Sequence, residues 1–217
     1  MVTGVQTCAL PICNRYVMPL LGEFVRRFPD ISPDWHFDNR QVDLIGQGFD
    51  AAIGGGFELP QGVVARKLTP AHRVLVASSN YLAQRLPVLA PEDLARCLGI
   101  LIRSPQTGRV RSWQLTNRER EQRPLVLKPR MTLSDSEAAC CAAAQGLGIA
   151  LVSMPMAVPF LDSGAVVRVL PDWYVDDGNI SLYYAEHKLL PGKTRAFVDF
   201  IIEQFVMTGL AQRFSAI

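Results

Sequence analysis

NRQVDLIGQGFDAAIGGG, residues 39–56, is the stretch on which the fold turns. Asn39 stands where an N-cap would, RQVDLIGQ is a short amphipathic segment, and Gly48 takes the C′ position. FDAAI then reads as a short buried strand that breaks into Gly54, Gly55 and Gly56. Glycines directly after a strand mark backbone that something approaches closely. A dinucleotide fingerprint needs G-x-G-x-x-G running into a helix, so that the helix N-terminus meets the pyrophosphate. Here Leu59 stands in the third-glycine position and Pro60 follows, so no helix opens. Two readings remain: a loop needing positive φ, or a strand end whose bare N–H groups face a ligand crevice.

The same alternation runs outward in both directions. RYVMPLLGEFVRRFPD predicts a helix, with Pro19 in its first turn and Pro29 stopping it. ISPDWHFD predicts a strand in which Trp35 and Phe37 alternate with His36. VVARKLT and RVLVAS read as strands, NYLAQRL and PEDLARCL as helices, and GILIR as a strand before the irregular SPQTGRVRSW. LVLKPRMTL is extended, interrupted by Pro129. SDSEAACCAAAQGLG opens with the capping box Ser134-x-x-Glu137 and closes at Gly146. IALVS, AVVRVL and NISLYYAE are strands, and TRAFVDFIIEQFV a terminal helix with Phe197, Ile201 and Phe205 on one face. Interleaved helices and strands place the chain in the α/β class with largely parallel sheets. Residues 1–14 precede this patterning and are set aside as a leader that need not belong to the native chain.

The totals narrow the function classes. The 217 residues are 49% hydrophobic, enough for one large domain or two modest lobes. A net charge of +2 is too mild for a surface that wraps DNA. No apolar run reaches the roughly 18 residues of a membrane span. The five cysteines show neither zinc nor disulfide-framework spacing, and a reducing, cytoplasmic setting fits.

No constellation argues for catalysis. His36, His72 and His187 are scattered without an acidic partner at metal spacing, and no G-x-S-x-G elbow is present. Gly192-Lys193-Thr194 lacks the earlier glycine of a P-loop and reads as the start of a helix. Arg109, Arg111, Arg118, Arg120, Arg123, Lys128 and Arg130 are the densest positive stretch; Glu119 and Glu121 within it favour a solvated face over nucleic-acid contact. Neither cofactor nor metal is expected.

The order of pieces carries a resemblance. PLLGEFVRRFPD, VDLIGQGFDAAIGGG, VVARKLTPAHRVLVASSNYL, PEDLARC, ILIRSPQTGRVRSWQL, SDSEAACCAAAQGLGIALV and GAVVRVLPDW together resemble the effector-binding domain of LysR-type transcriptional regulators, from about Arg15 to the C-terminus. The resemblance implies a periplasmic-binding-protein-like fold of type 2, with two α/β lobes joined by two crossover strands. Lobe I would be residues 15–75 plus 186–217 and lobe II residues 76–185, with crossovers near Val74–Ala77 and Tyr183–Ala185. It also implies a small-molecule effector in an interlobe cleft and a homodimer or tetramer. DNA would be contacted only through an N-terminal winged helix-turn-helix that is missing here. Many relatives place an arginine where Gly54 stands, which leaves no carboxylate clamp at that position.

Strand-end logic then selects the candidate effector ligands. Asp38, Asn39, Ser104 and Thr107 supply hydrogen bonds, and Gly54, Gly55 and Ser153 line the pocket. The competing class is an enzyme or solute receptor on the same plan. A receptor would need a signal peptide or lipoprotein cysteine. An enzyme would need paired ionisable groups, and Asp43 and Asp50 better suit structural positions.

Overall fold

The computed structural model describes the strand path of residues 2–8 and all of residues 12–37, 43–55, 61–104, 107–186 and 190–217. The chain begins with β1 (Val2–Cys8). A π turn (Cys13–Val17) and a 3-10 turn (Met18–Leu20) lead into α1 (Leu21–Arg27). The helix predicted over this region is thus regular only in its second half, because Pro19 lacks the N–H an α-helical ladder needs. Next come β2 (Ile31–Phe37), β3 (Ala51–Gly55) and β4 (Val63–Ala77). The segments VVARKLT and RVLVAS are therefore one strand that runs through Pro70.

Ser78 caps α2 (Ser79–Ala83) by accepting from the Tyr81 N–H at 3.2 Å. PEDLAR forms a 3-10 helix (Pro91–Arg96) before β5 (Leu98–Ile102). Short strands β6 (Gln114–Thr116) and β7 (Gln122–Pro124) form a hairpin that sequence periodicity missed, each being only three residues long. β8 (Lys128–Leu133) precedes α3 (Ser136–Ala144). The α3 cap lies one residue beyond the predicted capping box: Asp135 Oδ1 accepts from the Ala138 N–H at 2.8 Å. Gly146 ends this turn with φ of 78°, as a C′ glycine should.

β9 (Ile149–Ser153) runs into α4 (Met154–Asp162), a helix hidden in the sequence by Pro155 and Pro159. Pro155 fits the first turn, and burial of Met154, Met156, Ala157 and Val158 offsets the hydrogen bond lost at Pro159. β10 (Val167–Val169), β11 (Val175–Ala185), α5 (Gly192–Met207) and α6 (Leu210–Arg213) complete the chain.

The chain divides into two units: residues 1–70 with 178–213, and residues 71–177 with 214–217. In the first, the strand order is β2-β1-β3-β11, with β1 parallel to β2 and β3, and β11 antiparallel to β3. Pro33 is tolerated because β2 is the edge strand, where a missing donor breaks no ladder. In the second, the order is β4-β9-β5-β8, with β5 parallel to both neighbours, β4 antiparallel to β9, and β10 flanking β4. Each unit's antiparallel member is thus a strand that both units share, β11 in one and β4 in the other.

The two cores differ in chemistry. The first unit is aromatic: the Phe24 ring meets Phe197 edge-on at 5.6 Å and Phe200 at 5.2 Å, and Trp35 meets Phe197 at 5.7 Å. The second unit is aliphatic, built on Leu75, Leu94, Leu115, Ile149 and Val169. The chain's last residues return to this second unit. There the Ala216 N–H donates to His72 Nδ1 at 2.9 Å, and Phe214 is fully buried. Cysteine spacing shows no disulfide framework, yet Cys13 is disulfide-bonded. Cys97, Cys140 and Cys141 are not disulfide-bonded.

Candidate functional site

In the first unit the parallel register aligns Cys8 with both Phe37 and Ile53, so β1, β2 and β3 end on one edge. Gly54 and Gly55 extend β3 just past that edge as paired strand residues opposite Ser181 and Ile180. Neither has positive φ, which removes the positive-φ reading of these two glycines. A Cβ on Gly55 would stand 2.4 Å from the Asn179 carbonyl oxygen, so the close approach at that position is made by the backbone of β11. The Gly54 carbonyl accepts from the Tyr183 hydroxyl at 2.9 Å, and burial pushes the Tyr183 phenol above its ordinary range. Asp38, Asn39 and Gly56 lie outside the described residues.

The aspartates read as structural take structural roles. Asp43 Oδ1 accepts from the Gly46 N–H at 2.9 Å and closes a turn. Asp50 Oδ2 accepts from Lys193 Nζ at 2.8 Å, pinning the first turn of α5 to the start of β3. Lys193 therefore meets a carboxylate in the structure, consistent with a helix start rather than a P-loop.

In the second unit Ser104 follows β5 and Ser153 ends β9; these two strands are parallel, so both residues lie on the same edge. Ser104 and Thr107 are brought together. The Thr107 N–H donates to Ser104 Oγ at 3.3 Å, and the Gly108 N–H donates to the Ser104 carbonyl at 2.9 Å. The bridge Arg103–Val110 closes the loop below them. Ser153 is the residue before α4, but its hydroxyl caps no helix N–H. It sits directly across from Arg73 in the β4–β9 register.

That arginine opens a cluster which sequence reasoning missed. Arg73 Nε donates to Asp177 Oδ2 at 2.9 Å, and Arg111 Nη1 to Asp177 Oδ1 at 3.2 Å. Both guanidinium carbons stand over the Trp113 ring, at 4.8 Å and 4.2 Å from its centroid. The Asp177 side chain is 10% exposed, whereas that of Arg111 is 59% exposed. One carboxylate thus serves two cations, leaving net positive charge and spare N–H donors at the strand-end edge that carries Ser153. Arg111 was legible only as part of a basic run, and nothing near Asp177 in sequence marks it as a partner for residues 66 and 104 positions away.

The remaining candidates for chemistry are quiet. Burial pushes the Cys97 thiol up, away from nucleophilic use. Among the described residues no cluster of His, Cys, Asp or Glu could hold a metal ion, and no helix is long and apolar enough to cross a membrane. The basic run is partly broken into ion pairs, Arg111 with Asp177 and Arg123 with Glu92.

Comparison with known proteins agrees with this architecture. The family model described as "LysR substrate binding domain" matches residues 7–206. An HTH-type transcriptional regulator of Xanthomonas campestris pv. campestris is 32% identical over 189 residues, covering 86% of this chain and 55% of that protein. The HTH-type transcriptional regulator PtxR of Pseudomonas aeruginosa is 30% identical, covering 87% of this chain and 59% of PtxR. The chain therefore spans less than two thirds of the length of these relatives.

Among solved structures, the regulatory domain of AphB from Vibrio vulnificus superposes with a TM-score of 0.75 at 26% identity, covering 93% of this chain and 97% of that one. Full-length AphB of Vibrio cholerae, described as a virulence activator, gives 0.78 at 28% identity over 93% of this chain and 68% of its own. These likenesses establish the type 2 periplasmic-binding-protein-like fold. With the two-unit α/β architecture and its two shared strands, they show that the chain belongs to the LysR substrate-binding domain family.

Proposed function

We propose that this chain is the effector-sensing part of a LysR-type transcriptional regulator, one that captures a small metabolite and does not transform it. The observation that carries this reading is the gathering of hydrogen-bonding groups at the carboxyl ends of parallel strands, on a chain that matches the family over residues 7–206. Ligands of open α/β sheets bind at such ends. The effector contacts are Asp38, Asn39, Ser104 and Thr107, with Gly54, Gly55 and Ser153 as lining. Binding biases the protein between states only through its different affinity for each. In the whole regulator the chain works as a homodimer or tetramer in the cytoplasm, and a winged helix-turn-helix outside these residues contacts DNA.

A thermal-shift panel of small organic acids, amino acids and aromatic acids, followed by calorimetry on any hit, tests the proposal. The double variant Ser104→Ala/Thr107→Ala should remain folded and lose the hit. An unchanged dissociation constant rejects the site, and steady turnover of the hit by purified protein revives the enzyme reading.

A further inference from the structure

We infer, resting on the effector-sensing reading, that Arg73 and Arg111 of the second unit clamp a carboxylate, so that the metabolite captured is a small organic acid. Both guanidiniums are held in place before any ligand arrives. Asp177 Oδ2 accepts from Arg73 Nε at 2.9 Å, and Asp177 Oδ1 accepts from Arg111 Nη1 at 3.2 Å. The Trp113 ring lies under both, with its centroid 4.8 Å and 4.2 Å from the two guanidinium carbons.

The donors these contacts leave over point to the ligand. Asp177 accepts only from Nε of Arg73. Its Nη1 and Nη2, the pair that can meet a carboxylate in two parallel bonds, have no partner among the described residues. Arg111 likewise keeps Nε and Nη2. Ser153 stands opposite Arg73 in the β4–β9 ladder, which puts the two side chains on one face with Cβ atoms about 5 Å apart. The Ser153 hydroxyl makes no hydrogen bond among the described residues and adds a neutral donor. The Arg73 side chain is only 25% exposed, so water serves its donors less fully than at an open surface.

The charges fix the ligand class. Two guanidiniums against the one carboxylate they share leave an excess of one positive charge, which a single carboxylate neutralises. The other acids nearby do not cancel it. Asp176 alternates with Asp177 along β11 and so faces the opposite side of the strand, where it stands near Arg118 and Arg120. Glu119 and Glu121 sit at the tip of the β6–β7 hairpin, interleaved with those same arginines. Asp135 follows β8, two strands away from β9, and its Oδ1 is committed to the α3 cap. Arg109 is exposed and adds a charge of the same sign that solvent and salt screen. A phosphate dianion would overcompensate the single excess charge, whereas a monocarboxylate matches it. Because Asp177 and Trp113 already fix both arginines, binding costs little side-chain freedom.

Acetate and benzoate are suitable probes, with acetamide and benzamide as their uncharged isosteres. Titration of the isotope-labelled chain with either acid should give saturable shifts at the Nε–H signals of Arg73 and Arg111 and at the Ser153 amide. The amides should leave those signals in place. Arg73→Gln should weaken benzoate binding about 10-fold or more, the loss expected for charge-assisted hydrogen bonds. Arg73→Lys should restore only part of it, since lysine keeps the charge and loses the fork. Arg111→Gln, at a side chain 59% exposed, tests the clamp without threatening the fold and should cost about 5-fold. Saturation at Arg73 and Arg111 in the Ser104→Ala/Thr107→Ala chain would support the clamp independently of those two contacts. An uncharged hit that needs Ser104 and Thr107 but binds Arg73→Gln as it binds the parent would overturn the clamp and leave effector capture standing. Benzamide binding as tightly as benzoate, tighter binding of inorganic phosphate, no saturable shift with either acid, or equal affinity in all the arginine variants would each overturn it as well.

Discussion

The two strand-end edges are built in opposite ways. In the first unit the described edge is backbone: Gly54 and Gly55 contribute no side chain, and the Tyr183 hydroxyl donates to the Gly54 carbonyl. In the second unit the edge is side chains, with Ser104 and Thr107 sharing a loop, Ser153 opposite Arg73, and two arginines gripping Asp177 over Trp113. One edge fixes shape through close packing of strands; the other supplies charge and directional donors.

The sharpest way to break this comparison is to give the backbone edge a side chain. Gly55→Val would drive its Cβ against Asn179, and we expect a loss of about 3 kcal/mol from overpacking. Urea unfolding measures it; a midpoint equal to the parent's would mean that β11 yields freely. Next in size is Asp177→Ala, which leaves two guanidiniums over Trp113 without their shared carboxylate. Loss of two charge-assisted bonds should cost about 2 kcal/mol. Asp177→Asn should recover part of this, and equal stability of all three chains would show the cluster to be ornamental.

Asp135→Ala removes the α3 cap beside the same edge and should cost about 1 kcal/mol, visible in amide exchange of residues 136–139. The smallest effect is expected at Tyr183→Phe, about 0.5 to 1 kcal/mol near neutral pH. Its pH dependence is more telling. The folded phenol titrates above its unfolded value of about 10 because burial disfavours the phenolate. The stability it lends is complete below that value and is lost as pH rises through the folded pKa. The variant should show a shallower alkaline limb than the parent, and superimposable limbs would remove Tyr183 from the account.

The α/β class, the strands FDAAI, GILIR and IALVS, and the terminal helix were legible because each is long enough or apolar enough to show its period. α4 was not, since Pro155 and Pro159 argue locally against the helix that tertiary burial of Met154 and Met156 enforces. β6 and β7 were too short to carry a period, and β4 looked broken at Pro70 although it runs on through it. Among the candidate effector residues, Ser104 and Thr107 were found together because both belong to one loop after one strand. Arg73, Arg111 and Asp177 were not, because they come from three distant segments.

The amino-acid order alone determined which segments become helices and strands and in what succession, since those depend on neighbours within a few positions. It also determined the family, because the pieces keep their order. Only the tertiary structure decided that Gly55 is small for the sake of β11, and that Asp177 binds two arginines. Contacts of that kind are made across dozens of residues, where no local period reports them.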